Sequence, residues 1–204
     1  MEIKDLVTPL QRNGFTVFLG NDKTHAREIL LNEIKGNSDV GIGGSITIKE
    51  LDIIPGLLKK GTVIHSHFDR ELTPKELENI YKAQQQSDYF LASCNAITQN
   101  GHLLYIDGSG NRISAIIYGP TNVIIVVGKN KIVFDYNEGI KRAKDYCAPR
   151  LYAYKNSIAP CAKVGKCIEC KGPEKQCRVI CILEGKPRAR KDFKIILVNE
   201  DLGI

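Results

Sequence analysis

The chain has 204 residues, 43% hydrophobic and 25% charged, the composition of an ordinary folded protein, which excludes a disordered polypeptide, a collagen-like fibre and a coiled coil. No apolar run approaches the roughly 20 residues that a membrane helix needs, and the charged opening MEIKDLVTPLQRNG is not a secretory leader, so the expectation is a cytoplasmic protein without a membrane partner. Lys and Arg outnumber Asp and Glu by 29 to 23, a net charge of +6 spread along the chain; this suits an anionic metabolite, and the lack of a basic stripe with interleaved aromatics argues against nucleic acid.

Thr16 to Leu19, closed by Gly20, reads as a strand. A helix follows, with Thr24 as N-cap, Ala26, Ile29, Leu30 and Ile34 on one face, and Gly36 just past its end. A second strand runs into VGIGGSITIKEL (Val40 to Leu51) and turns into a helix, and Gly61 to Ile64 forms a third strand. Thr73, Pro74 and Glu76 make a capping box with proline at the first helical position. Tyr89 to Ala92 is a fourth strand, and Asn100-Gly101 between two apolar runs signals a hairpin. Asn111 to Tyr118 reads as a short helix. Asn122 to Val127 is an almost unbroken apolar strand of the kind buried on both faces. Asp135 and Glu138 open a helix carrying Ile140, Ala143 and Cys147, and Arg178 to Leu183 and Lys194 to Val198 are closing strands. This alternation predicts a three-layer α/β domain over residues 1–204 with a mainly parallel sheet. Ligands of such sheets bind beyond the carboxyl ends of the strands.

Three loops in that position carry candidate chemistry. Gly43, Gly44 and Ser45 link a strand to a helix start, where free amides attract an anion; the alternative is a tight turn with Ser45 only as N-cap. Neither the dinucleotide fingerprint nor the P-loop spacing is present. Asn95 and Thr98 follow the fourth strand, and Asp107 to Arg112 form a second glycine-rich junction. There Arg112 can clamp a carboxylate or phosphate, Asn111 can bind it, and Asp107 can act as base or hydroxyl acceptor; the alternative is a helix cap with a structural arginine. Gly128, Asn130 and Lys131 follow the buried strand and can face the same anion. His65 and His67 would share a face of an extended strand, yet no third metal ligand accompanies them.

Five of the seven cysteines fall between Cys161 and Cys181. Cys161, Cys167, Cys170 and Cys177 lie in one short loop, the central pair two residues apart, so four thiolates can complete a tetrahedral set. Nearby Lys163, Lys166, Lys171, Lys175 and Arg178 would balance their charge. The spacing leaves an iron–sulfur cluster (4Fe–4S) and zinc both open as the cofactor, and free thiols or a redox disulfide between Cys167 and Cys170 are the alternative.

VGIGGSITIKEL, SCNAITQNGHLLYIDGSGNR, GPTNVIIVVGKNKIV, PCAKVGKCIECKGPEKQC and the closing LVNEDLGI, in that order, resemble the LUD (lactate-utilisation) domain family over nearly the whole chain. The likeness is to its compact, stand-alone members with a Cys-rich loop. It implies a Rossmann-like α/β/α sandwich of the kind shared by ribose-phosphate isomerases and CoA transferases. It also implies a part in oxidising lactate or a related organic acid with an iron–sulfur protein partner; a homo-oligomer is compatible with it. Two other readings stay open: a ligand-sensing or accessory module without turnover, and a phosphosugar isomerase or CoA-transferase-like enzyme. The second would need Asp107 as its base.

Overall fold

Asn122–Gly128 (β7), the apolar run, lies inside a six-stranded parallel sheet in the computed structural model, which describes residues 2–68, 70–188, 190 and 192–204. The order across it is β1 (Thr16–Gly20), β10 (Asp192–Val198), β7, β4 (Tyr89–Ala92), β2 (Asp39–Ile42) and β3 (Val63–Ser66), with every neighbouring pair parallel. Successive side chains of a strand point to opposite faces, and both faces here are apolar. Val123, Ile125 and Val127 join Phe90, Phe193, Ile195 and Leu197 in one core. Ile124 and Val126 join Val40, Ile42, Leu91, Ile196 and Val198 in the other. Truncating such a buried Ile to Ala costs about 2–5 kcal/mol.

The second core is closed by α2 (Lys23–Glu33), through Ala26 and Leu30, and by α3 (Ile46–Glu50) and α4 (Ile54–Lys59), through Ile48 and Leu57. The first is closed by α1 (Val7–Arg12), α6 (Asn111–Tyr118) and a small second sheet. The three-layer α/β arrangement expected from the alternation is therefore present, and it is Rossmann-like, as the family resemblance implies. α2 begins two residues earlier than expected: Asp22, not Thr24, is the N-cap, its carboxylate accepting from the His25 amide at 2.8 Å. The capping box of α5 (Pro74–Gln86) forms as read, with Glu76 and Thr73 exchanging bonds.

The second sheet has the order β8 (Ile132–Val133), β5 (Ala96–Thr98), β6 (Leu103–Asp107) and β9 (Val179–Leu183). The Asn100-Gly101 turn makes the expected hairpin, with Ala96 opposite Leu104. β9 pairs antiparallel with β6, so the segment after the Cys-rich loop leaves the main sheet and lies beside Tyr105 and Asp107. α7 (Tyr136–Lys141) covers the outer face of this sheet. Asp135 caps α7 as expected. The chain then widens into a π-helical turn, Arg142–Cys147, before α8 (Ala148–Tyr154). Pro149 cannot donate the bond that an unbroken helix would send back one turn, which is a sufficient cause for the widening.

Candidate functional site

Strands β2, β4 and β7 end side by side, and the turns that leave them carry Gly43–Ser45, Ser93–Asn95 and Lys129–Lys131. The Gly43 amide donates to the Leu91 carbonyl at 2.9 Å. A Cβ on Gly43 would stand 3.1 Å from the Phe90 ring and 3.4 Å from Arg112 Cγ, so the bare glycine makes room for the arginine stem. The Ser45 hydroxyl accepts from the Ile48 amide at 3.3 Å; it is spent as the N-cap of α3.

Lys131 is 2% exposed. Its Nζ donates to Thr47 Oγ1 at 2.7 Å, Ser93 Oγ at 2.9 Å and the Cys94 carbonyl at 3.4 Å, all neutral oxygens. Burial lowers its pKa to about 8, with Cys94 opposing the shift, whereas burial pushes the Cys94 thiol up to about 11. Arg112, buried as well, donates to the carbonyls of Ser93 (3.3 Å) and Ile106 (2.7 Å) and to Asn95 Oδ1 (3.1 Å). Its carboxylate neighbour, Asp107, is 3.5 Å away. Arg142, from the π-helical turn, donates to the carbonyls of Asn130 and Asn95 and to the Cys147 sulfur at 2.8 Å. Three cations thus converge on Ser93–Asn95, with Asp107 as the carboxylate beside Arg112, and Ile204, the last residue, lines the same chamber. Buried charge of one sign is costly until an opposite charge meets it.

Arg112 and Lys131 line a chamber of about 40 Å³ together with Thr47, Ser93 and Cys94. A larger cleft of about 350 Å³ shares Gly44, Arg112 and Leu151 with it and adds Asp107, Asn111, His67, Tyr81 and Tyr152. Asp107 Oδ2 accepts from the Ile113 amide at 3.1 Å and so caps α6, whose first residue follows Gly110 at φ +77°. Asn111 lines the cleft, its carbonyl tied to Gln85 and Ser114. His67 stands edge-on to Tyr81, with the Gln84 amide nitrogen 3.2 Å from Nδ1. Burial, then the nearby Lys155 charge, lowers the His67 pKa to about 4, so this imidazole is neutral at physiological pH.

The Cys-rich loop borders the same cleft. Gln176 is one of its lining residues, the Arg178 amide donates to the Asp107 carbonyl at 2.9 Å, and the Tyr152 hydroxyl hydrogen-bonds Cys177. Burial raises the Cys161 and Cys177 pKa values, and charge on the other loop cysteines adds to this: Cys170 and Cys167 act on Cys161, and Cys161, Cys167 and Cys170 on Cys177. The four sulfurs therefore share one electrostatic neighbourhood and are all free thiols. Among the described residues no three potential ligands close to metal-binding geometry. The donor set is nevertheless the soft-thiolate set that zinc and iron–sulfur clusters take.

The profile of the LUD domain family matches residues 3–198. The chain belongs to the LUD domain family. Among curated proteins no match is found. Among solved structures, a DUF162 family protein from Deinococcus radiodurans matches with a TM-score of 0.55 at 13% identity, over 98% of this chain and 99% of that one. At that identity the likeness carries the fold alone.

Within this LUD domain, the residues singled out from sequence divide into three groups. Gly44, Ser45, Asn95, Asn111, Asp107, Arg112 and Lys131 meet at the chamber and cleft, although Ser45, Asn95 and Asp107 make structural bonds there; Gly43 lines neither and instead packs against Phe90 and the Arg112 stem. Gly128 and Asn130 sit instead under the closing segment: Asn130 Oδ1 accepts from the Leu202 amide at 3.1 Å, and a Cβ on Gly128 would stand 2.7 Å from that nitrogen. Thr98 lines neither cavity; its hydroxyl accepts from the His102 amide at 3.1 Å and closes the hairpin. The cysteines form the third group, at the cleft's edge. Sequence reading passed over Ser93, Thr47, Tyr152 and Arg142. Ser93 stands directly at a strand's carboxyl end and could have been found there, whereas Arg142 lies within a helix and gave no signal. His65 and His67 do not act as a pair: His65 Nε2 is 3.6 Å from Asp39 and His67 turns to the cleft. No helix among the described residues is long and apolar enough to cross a membrane.

Proposed function

We propose that this LUD-domain protein binds a small anionic metabolite, a 2-hydroxy or 2-oxo carboxylate, at the chamber and cleft, and serves the oxidation of lactate or a related organic acid. The observation that carries this reading is the buried Lys131 ammonium, which has only neutral oxygens as partners and lies beside Arg112 and Arg142. The chamber holds roughly three water-sized groups, so it accepts one end of such a ligand while the cleft takes the rest. Arg112, on the wall between them, orients the carboxylate; neutral His67 and the Tyr81 hydroxyl offer hydrogen bonds to the remaining oxygens.

Cys161, Cys167, Cys170 and Cys177 would hold the metal centre, zinc or a 4Fe–4S cluster. Bound there, a cluster supplies one-electron transfer, and zinc supplies a staple for the loop. An iron–sulfur protein as redox partner belongs to the first case. Anaerobic purification with metal analysis and an absorption spectrum separates the two: one zinc and no visible absorption removes the electron-transfer role. Ligand binding is tested by calorimetric titration with lactate, pyruvate and phosphate.

One observation favours a second reading, a sensor without turnover. Both oxygens of Asp107 are engaged, by the α6 start and by Arg112, which leaves this carboxylate poorly placed as the base an isomerase needs. Binding of pyruvate or lactate with no conversion in the presence of an electron acceptor supports it.

A further inference from the structure

Lys131 does more than attract an anion. Its nitrogen lies inside the molecule at the chamber wall, among groups from four elements: the Thr47 hydroxyl on α3, Ser93 and Cys94 after β4, Arg112 on α6, and Arg142 and Cys147 on the π-helical turn. None of these is a carboxylate, and although Ile204 of the closing segment also lines the chamber, the charges that act on Lys131 are those of Cys94, Cys147, Arg112 and Arg142. We propose that Lys131 is a covalent catalytic residue, whose amine forms an imine with the carbonyl carbon of a 2-oxo acid while Arg112 faces the acid's carboxylate.

This rests on the anion-binding reading above and singles out, among its ligands, the 2-oxo acid as the one that bonds covalently. The step balances without a co-reactant. The lysine lone pair adds to the carbonyl carbon as the C=O pair moves to oxygen; one N–H proton passes to that oxygen to give the carbinolamine, the second passes to the hydroxyl as the C–O bond breaks and water leaves, and the nitrogen lone pair closes C=N. The Thr47 and Ser93 hydroxyls, hydrogen-bonded to Nζ, can relay those protons. Burial supplies the neutral amine: with a pKa of about 8, roughly a quarter of the side chain is unprotonated at pH 7.5, against about one in a thousand for a solvated lysine. Cys94, pushed up to about 11, stays a thiol and does not compete for the carbonyl.

The test is reductive trapping. The full chain is incubated with pyruvate and borohydride at pH 7.5, then analysed by intact mass and peptide mapping, with calorimetric titration of pyruvate alongside. The expected result is one reduced pyruvyl adduct per chain, on Lys131, absent without pyruvate and absent in K131M and K131R whose circular dichroism matches the parent. Calorimetric binding of pyruvate with no adduct, or with the adduct on another lysine, overturns the imine and leaves the anion site standing. No binding and no adduct overturns both.

Discussion

The Tyr152 hydroxyl donates a hydrogen bond to the Cys177 sulfur and so ties α8, a wall of the cleft, to the Cys-rich loop. Burial raises the Cys177 pKa and this bond opposes the rise. In the metal-free protein, Tyr152→Phe is therefore expected to raise the Cys177 pKa further and slow its alkylation by iodoacetamide at pH 8 several-fold, because the thiolate is the reacting form. An unchanged rate at Cys177, followed by mass spectrometry, would mean that the bond is not made in solution.

Asp107 works through its carboxylate oxygens at the start of α6. Asp107→Ala removes the acceptor for the Ile113 amide and is expected to cost about 1 kcal/mol, whereas Asp107→Asn, which keeps an acceptor, should cost less than half of that. Denaturant melts of the two variants check this; equal losses would assign the effect to charge rather than to the cap.

Gly128 is packed against the closing segment, with the Leu202 amide nitrogen 2.7 Å from where a Cβ would sit. That neighbour is backbone and cannot swing away, so Gly128→Ala should destabilise by about 1–3 kcal/mol. It should also weaken lactate binding, because the same turn delivers Lys131. A variant as stable as the parent would refute the packing argument.

His67 gives the protein an acid sensitivity with a definite sign. Its folded pKa is about 4 through burial and the Lys155 charge, and its ordinary value is 6.5. Between those values the unfolded chain binds the proton and the folded chain does not, so stability is full above pH 6.5 and falls as the pH drops toward 4, by roughly 3 kcal/mol at most. Chemical denaturation of the parent and of His67→Gln across that range should show a flatter slope for the variant.

For Lys131 the shift acts on ligand binding. A ligand without a carbonyl, such as lactate, is held by the ammonium form, so its affinity should fall about tenfold per pH unit above pH 8, measured by calorimetry. The fall should vanish in K131M.

Much of this architecture was legible before any coordinates. The unbroken Val and Ile run of β7 announces a strand covered on both sides, and Asn100-Gly101 announces a hairpin, because each signal is local. The partner of β9 was not legible: an alternating Val179–Leu183 suits either sheet, and only the packing of Leu183 beside Leu103 selects the second. Asp22 and Thr24 are both good caps two residues apart, and the extended backbone at Asp22 decides between them. At the site, glycine loops and Lys131 were visible because they follow strands. Arg142 was not, since helical periodicity marks apolar residues and is silent about a guanidinium reaching inward. Thr98 was misleading for the opposite reason, its hydroxyl being consumed by its own turn.

The most direct test of the account is a calorimetric titration of the full chain at pH 7 with lactate and with pyruvate, run in parallel on K131M of matching circular dichroism. One site per chain is expected, weakened at least tenfold in the variant. Equal affinity in the two proteins, or no heat from either acid, would contradict the claim that the buried cations around Ser93–Asn95 are there to meet a carboxylate.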